Sequence, residues 1–196
     1  MKINNKNKLL KYMFIYRSFI FRFTRFETDS KDIELIKLIE LLNIKNKYKR
    51  IYKTINDTCD YIDNYYKNIN TCSFKNNQCI CHRKQNLEYT NGCCRNCFYQ
   101  SSKGCTTKNI ACKMFYCSYI KDNNNVLDYK DLILLKVLNP MQLLILKSDY
   151  FRTIEEVSKD IYLGFFIGFI RIEYNNIKRQ IHYRRKYNAN RNYKKS

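Results

Sequence analysis

The feature that most constrains this chain is the uneven placement of its cysteines. The 196-residue sequence contains ten cysteines, and nine of them fall between residues 72 and 117. They are Cys72, Cys79, Cys81, Cys93, Cys94, Cys97, Cys105, Cys112 and Cys117. Sulfurs at this density serve as disulfide staples, as ligands of a metal or an iron–sulfur cluster, or as redox-active thiols.

The N-terminal residues indicate which compartment to expect. Residues 1–26 contain no acid and include an apolar stretch, but Lys11 and Arg17 interrupt that stretch and no small-residue cleavage site follows. A secretory signal needs an uninterrupted apolar segment of roughly 7 to 15 residues. The best apolar run, at 162–170, is about half as long as a membrane span. We therefore expect a cytoplasmic protein with no transmembrane segment, where dense cysteines favour metal over disulfides.

The spacing of the cysteines fits metal ligation. A tetrahedral zinc site is commonly built from two short-spaced pairs, because a tight turn points both side chains at one ion. Cys94 and Cys97 form such a pair, while Cys79 and Cys81 form a tighter pair next to His82, which is a further candidate ligand. Together, the nine clustered cysteines and His82 suffice for one or two zinc ions. Four thiolates also bind an iron–sulfur cluster, so that cofactor and disulfides stay open as alternatives.

The last part of the cysteine segment resembles a known family. A Cys-Cys pair and one more cysteine are followed by Gly-Cys, by Cys and a basic residue, and by a final cysteine after an aromatic residue. These positions are Cys93, Cys94, Cys97, Gly104, Cys105, Cys112, Lys113, Phe115 and Cys117. Residues 93–117 thereby resemble the bacterial cysteine-cluster proteins described as zinc- or iron-chelating. The resemblance implies metal binding here, while Cys72, Cys79 and Cys81 are assigned as ligands from spacing alone.

Before the cysteine segment, the chain shows helical periodicity. Asp29 or Ser30 is predicted to cap a helix that carries a broad apolar face. A second helix is predicted over residues 48–66, with apolar residues at steps of three and four. Cys59 lies on that apolar face, where a cysteine behaves as a small buried hydrophobe rather than as a ligand.

After the segment, local patterns predict further helices. Asp128 precedes a mostly apolar run, and Asn139 followed by Pro140 is typical of an N-cap and a first helical residue. Thr153 and Glu156 match a capping box. The apolar residues that follow step by mixed twos, threes and fours, which we interpret as one long terminal helix.

The N-terminal segment leaves two structures open. The alternation of Phe19, Phe21 and Phe23 fits an edge strand, whereas apolar residues spaced from Leu9 to Ile20 fit a helix. The predicted fold is mainly α, with a central loop-rich cysteine module organised by metal. The predicted regions are a basic aromatic segment at 1–28, a helical pair at 29–70, the cysteine module at 71–120, a helical region with a long basic terminal helix at 126–187, and a basic tail at 188–196.

The charge predicts a polyanionic partner. The chain has 37 Lys and Arg against 17 Asp and Glu, a formal net charge of +20, and no acid follows Glu173. Basic residues neutralise phosphates and tyrosines stack on unpaired bases. The candidate nucleic-acid-binding residues are Arg171, Lys178, Arg179, Tyr183, Arg184, Arg185, Lys186 and Tyr187. A solvated helix face is the alternative for these residues. They could also contact an anionic membrane surface, for which the N-terminal aromatic residues are better candidates.

Catalytic motifs are missing from the sequence. It has no His-Glu-x2-His and no glycine-rich phosphate loop, and its two histidines, His82 and His182, leave little for a Cys-His dyad. The sequence therefore favours a binding protein over an enzyme. We expect a metal-binding protein, most readily one with structural zinc, and a basic surface for nucleic acid or another polyanion. An iron–sulfur or redox protein, and an inhibitor or adaptor that docks on an acidic protein surface, are the alternatives.

Overall fold

The structure is a computed structural model that describes residues 1–66, 100–101, 104–116, 118–123, 125–164, 166–178 and 181. The helices are α1 (Lys6–Arg22), α2 (Ile33–Asn43), α3 (Lys47–Tyr66), α4 (Ile110–Lys113), α5 (Ser118–Asn123), α6 (Pro140–Ser148), α7 (Ile154–Leu163) and α8 (166–178). Two 3-10 helices span Tyr129–Asp131 and Ile133–Val137. Strands β1 (Gln100–Ser101) and β2 (Gly104–Cys105) form a small antiparallel pair. The prediction of a mainly α protein is confirmed. Among the described helices, none has the length and apolarity that crossing a membrane requires.

The N-terminal segment forms helix α1, so the edge-strand alternative is wrong. Leu9, Met13 and Ile20 recur at helical spacing and are buried against α2 and the second 3-10 helix. Phe19 and Phe23, two members of the alternating pattern, are exposed on the outside of α1. The apolar residues that the body buries therefore follow the period of a helix rather than that of a strand.

Helices α2 and α3 follow the predicted apolar faces, but the cap of α2 differs from the prediction. Asp32 caps α2, since its Oδ1 accepts hydrogen bonds from the backbone N–H of Glu34 at 2.9 Å and of Leu35 at 3.3 Å. Asp29 and Ser30 lie outside the helix. Several residues of the stretch before α2 are able to cap a helix, and the last of them lies next to the first helical residue.

Two apolar clusters form the core. One joins α3 with α4, α6, α7 and α8 and contains Ile55, Cys59 and Ile161, all with no exposed surface. The other joins α1, α2 and the second 3-10 helix. The prediction that Cys59 is a buried hydrophobe is confirmed.

The capping predictions after the cysteine segment are largely confirmed. Asn139 caps α6 with Pro140 at the start of the helix, and its amide and that of Gln142 form reciprocal hydrogen bonds with the backbone. Thr153 and Glu156 form the same kind of box at the start of α7. Asp128 also caps a helix, but this one is a short 3-10 turn that ends at Asp131.

The long terminal helix predicted from residue 153 onward is interrupted. Gly164 adopts φ +103°, a backbone conformation that L side chains rarely adopt, and ends α7. The backbone of α8 then packs closely on that of α7, because a Cβ atom on Gly168 would lie 2.7 Å from the carbonyl oxygen of Asp160. α8 buries Ile172 and exposes Ile170, Tyr174 and Ile177, which are among the apolar residues whose spacing predicts the long helix.

Candidate functional site

The predicted metal ligands lie mostly outside the described residues. Cys59 and Cys112 are the two cysteines whose side chains the structure describes, and Cys105 has its backbone in β2. The remaining candidates lie outside the described residues; they are Cys72, Cys79, Cys81, His82, Cys93, Cys94, Cys97 and Cys117. Within the described part of the chain, no group of three or more His, Cys, Asp or Glu side chains is arranged to hold a metal ion. Ligation by these cysteines and by His82 stays a prediction.

The two ends of the cysteine-rich stretch meet on the helical body. Tyr66 is the last residue of α3, and its hydroxyl oxygen accepts a hydrogen bond from the hydroxyl of Tyr116 at 2.8 Å. The same oxygen accepts a bond from the backbone N–H of Leu127, also at 2.8 Å. The last residue of α3 therefore contacts residues that come after most of the cysteines in the sequence. We name residues 67–105 the cysteine insert and the helices around it the helical body.

Ion pairs hold the returning stretch on α3. Lys108 pairs with Asp60, and its Nζ lies 3.7 Å from a carboxylate oxygen of Asp63. Lys113 also pairs with Asp63, and its own side chain is almost fully buried. Ile110 belongs to the larger apolar cluster of the body. Ion pairs and apolar burial together fix the residues that follow the insert to α3.

A buried polar junction ties α4 to the loop between α6 and α7. The Oδ1 atom of Asn109 accepts from the backbone N–H of Cys112 at 2.9 Å, while its Nδ2 donates to the carbonyl oxygens of Asp149 at 2.7 Å and Arg152 at 3.1 Å. The sulfur of Cys112 accepts a hydrogen bond from the backbone N–H of Phe151 at 3.0 Å. Phe151 itself has φ +62°, in the left-handed region. Cys112 is thus a buried part of the helical body.

Cys59 has the chemistry of a protonated core thiol. Burial raises its pKa to about 12, and the positive charges of Lys113 and Lys108 only partly oppose that effect. Metal ligation and nucleophilic attack both require the thiolate. Cys59 is therefore unsuited to either task at neutral pH, in contrast to a cysteine in an exposed or cationic setting.

The predicted basic stripe of the terminal helix is described only in part. Arg171 extends an amino group to 3.2 Å from the fully buried carboxylate of Asp160, which also pairs with Arg152. Lys178 is exposed at the end of α8. The other candidates lie outside the described residues; they are Arg179, Tyr183, Arg184, Arg185, Lys186 and Tyr187. Arg171 thus has an intramolecular partner that the sequence does not indicate.

Helix α1 carries a basic face that the candidate list does not contain. Its exposed cations and those just after it are Lys8, Lys11, Arg22 and Arg25. Among the residues that the structure describes, no carboxylate lies within ion-pair distance of these four side chains. Phe14, Phe19 and Phe23 are 89%, 61% and 77% exposed on the same helix and its end. The absence of acids from residues 1–26 is the sequence signal for this face.

Comparison with known proteins gives no family for this chain. No protein-family model, no curated protein and no solved structure matches it. Its function is therefore inferred from the chemistry of its own residues.

Proposed function

We propose that this chain is a metal-binding cysteine-cluster protein, most simply with structural zinc, whose basic surface binds nucleic acid or another polyanion. The observation that carries the metal proposal is the partition of the cysteines. Cys59 and Cys112 are buried in the helical body. The other eight belong to the insert or, for Cys117, directly follow Tyr116, where the two ends of the stretch meet.

The composition of the insert supports metal as its source of stability. Residues 67–105 contain seven cysteines but only five Ile, Leu, Val, Met or Phe side chains. A segment this poor in apolar residues buries too little surface to offset the entropy of ordering its backbone. Metal binding to thiolates supplies that free energy in small cysteine-rich modules. Eight thiols are enough for two four-coordinate zinc ions, and the resemblance of residues 93–117 to metal-chelating proteins points the same way.

The basic face of α1 supports the polyanion proposal. Lys8, Lys11 and Arg22 lie on exposed positions of one helix, and the net charge of the whole chain is +20. Lysine and arginine side chains gain affinity for nucleic acid by releasing its condensed counterions. Exposed Phe19 and Phe23 next to them offer rings on which unpaired bases stack.

Thiol protection tests the metal proposal. Untagged protein is treated with iodoacetamide under reducing conditions, with and without a zinc chelator, and modified cysteines are located by mass spectrometry. Cysteines of the insert are expected to react only after chelation, because a bound thiolate is shielded by its ion. Cys59 provides the internal control, since its buried, protonated thiol is expected to stay unmodified in both samples. Insert cysteines that react equally with and without chelator would contradict the proposal.

A charge-matched pair of variants tests the polyanion proposal. Lys8→Glu/Lys11→Glu is expected to weaken binding of random single-stranded DNA or RNA by at least about tenfold and to lower the salt slope by about 2. Lys121→Glu/Lys130→Glu changes the net charge equally at exposed lysines away from α1. Fluorescence anisotropy at several salt concentrations measures both. Equal losses in the two variants would show that net charge, rather than the α1 face, decides binding.

A further inference from the structure

A cleft between α1, α3 and the start of α6 brings together two arginines from different helices. Its volume is about 410 Å³, and its lining includes Arg17 of α1, Arg50 of α3, Phe21 and Gln142. Clefts of roughly 300 to 1,000 Å³ are the usual size of small-molecule sites. The cleft is separate from the outer basic face of α1.

Both guanidinium groups are held in place around one aromatic ring. The Cζ atom of Arg50 lies 3.9 Å from the centre of the Phe21 ring, and that of Arg17 lies 5.9 Å from it. One amino group of Arg17 donates to the carbonyl oxygen of Val137 at 2.6 Å, and one of Arg50 donates to that of Ile44 at 2.6 Å. A guanidinium has five N–H donors. Each arginine is thus oriented by the backbone and keeps further donors, for which the described residues supply no side-chain acceptor.

The two charges have no counter-ion among the described residues. Sixteen of the 17 acidic residues, all except Glu88, lie in the described part of the chain, and none of them forms an ion pair with Arg17 or Arg50. Burial lowers the pKa of both guanidinium groups, and the charge of Arg17 lowers that of Arg50 further. A pair of desolvated like charges is unfavourable until an anion neutralises it.

The remaining walls suit an organic anion rather than a bare ion. Asn139 and Gln142, at the positive end of α6, line the cleft, and the helix dipole there favours a negative group. Phe21, Ile51 and Val137 supply apolar walls. Paired guanidinium groups match the oxygens of a phosphate through parallel N–H donors.

We propose that this cleft binds a small organic phosphate, with the phosphate on Arg17 and Arg50 and the organic part against Phe21 and Ile51. The site goes beyond the metal and polyanion functions proposed above. It requires neither the insert nor the outer face of α1. Because the two arginines reach the cleft from different helices, bound phosphate would also link α1 to α3.

Calorimetry with adenosine 5′-monophosphate, adenosine and inorganic phosphate tests the site on the full chain. The monophosphate is expected to bind once per chain and to raise the unfolding temperature. Adenosine is expected to bind at least about tenfold more weakly, since it leaves both guanidinium groups without an anion. Equal affinities for the two, or no binding by any of the three probes, would overturn the proposal.

Variants then assign the binding to the two arginines. Arg17→Gln and Arg50→Gln are each expected to weaken monophosphate binding at least about tenfold, whereas Lys130→Gln, which removes an exposed cation outside the cleft, leaves it unchanged. Arg17→Lys keeps the positive charge but loses the parallel N–H donors of the guanidinium group, so an intermediate loss of monophosphate affinity is expected. Circular dichroism checks that each variant folds. If Arg50→Gln does not fold, the comparison of Arg17→Gln with Arg17→Lys decides whether the arginines bind the phosphate. A loss in Lys130→Gln equal to that in Arg17→Gln would refute a small-molecule site at the two arginines.

Discussion

The helical body and the cysteine insert differ in what can hold them together. The body buries leucine and isoleucine side chains in two clusters and begins its helices with side-chain caps at Asp32, Asn139 and Thr153. The insert has seven cysteines and few large apolar residues. A core of ordinary side chains accounts for the first region. The composition of the second offers few side chains for such a core, and this difference is the reason for proposing bound metal as its source of stability.

The cysteines of the helical body also differ from those of the insert. Cys59 and Cys112 are small buried residues of the body, and the thiol of Cys59 is kept protonated by burial. The insert concentrates its cysteines in short spacings such as Cys94-x2-Cys97. Changes in the body are therefore expected to alter its unfolding free energy without altering metal content.

Removing a buried carboxylate is expected to have the largest effect on the body. Asp160→Ala leaves Arg152 and Arg171 without the fully buried partner that they share, which we expect to lower the unfolding free energy by about 3 kcal/mol. Urea denaturation measures the loss, and elemental analysis of the folded protein is expected to show unchanged metal. Asp122→Ala, at an exposed position, is the control. Loss of metal together with the loss of stability would break the separation of the two regions.

The close approach of α7 and α8 gives the next largest effect. Gly168→Ala places a Cβ atom 2.7 Å from the Asp160 carbonyl oxygen, so the helices must move apart at an expected cost of about 2 kcal/mol. Gly92→Ala makes the same substitution in the insert and is expected to leave unfolding of the body unchanged. Urea denaturation followed by far-ultraviolet circular dichroism compares the two. A similar loss in both variants would mean that the two regions unfold as one unit.

The tyrosine pair at the junction allows a finer test. Tyr66→Phe removes the oxygen that accepts bonds from Tyr116 and Leu127, and we expect a loss of about 1 kcal/mol. Limited proteolysis is expected to cut the insert faster in this variant while metal is retained. Tyr65→Phe alters the neighbouring, partly exposed tyrosine and controls for the loss of a hydroxyl. If proteolysis of the insert does not change, the junction does not restrain it.

A pH-dependent contribution at the start of α7 is the smallest effect. A hydrogen bond from its own backbone N–H holds the pKa of Glu155 below its usual value, although burial opposes that shift. A lowered folded-state pKa stabilises the fold above the unfolded pKa, and that stability is lost as the pH falls through the folded pKa. Glu155→Gln is expected to cost a few tenths of a kcal/mol at pH 7. The difference from wild type should shrink as the pH falls through the lowered folded-state pKa of Glu155. Glu40→Gln serves as an exposed control, and urea denaturation at pH 7 and at successively more acidic pH values measures the difference.

Local sequence patterns predict the parts of the fold that depend on neighbouring residues. The caps at Asn139 and Thr153 and the apolar face of α3, with Cys59 on it, each require information from one or two helical turns. The interruption at Gly164 is not predictable in this way, because apolar residues continue at helical spacing on both sides of it. A single glycine in a helix costs only about 1 kcal/mol, so its φ of +103° depends on tertiary packing.

Contacts between distant residues account for the features that the sequence does not reveal. The sequence suggests Arg171 as a phosphate-binding residue, whereas in the structure it pairs with Asp160 of another helix. The arginine cleft joins Arg17 to Arg50, and the meeting of the insert's ends joins Tyr66 to Tyr116. Charge and spacing in the sequence identify side chains that are able to bind a ligand or another side chain. Only the packing of the helices decides which of these side chains come together.

Elemental analysis of untagged, reduced protein tests the central claim most directly. Sulfur from the chain itself provides the protein concentration, so the ratio of metal to protein follows from one sample. We predict one or two zinc ions per chain, in agreement with eight cysteines outside the buried positions of the body. Stoichiometric iron would indicate an iron–sulfur cluster instead of zinc. A reduced, folded chain that carries no stoichiometric metal would contradict the account.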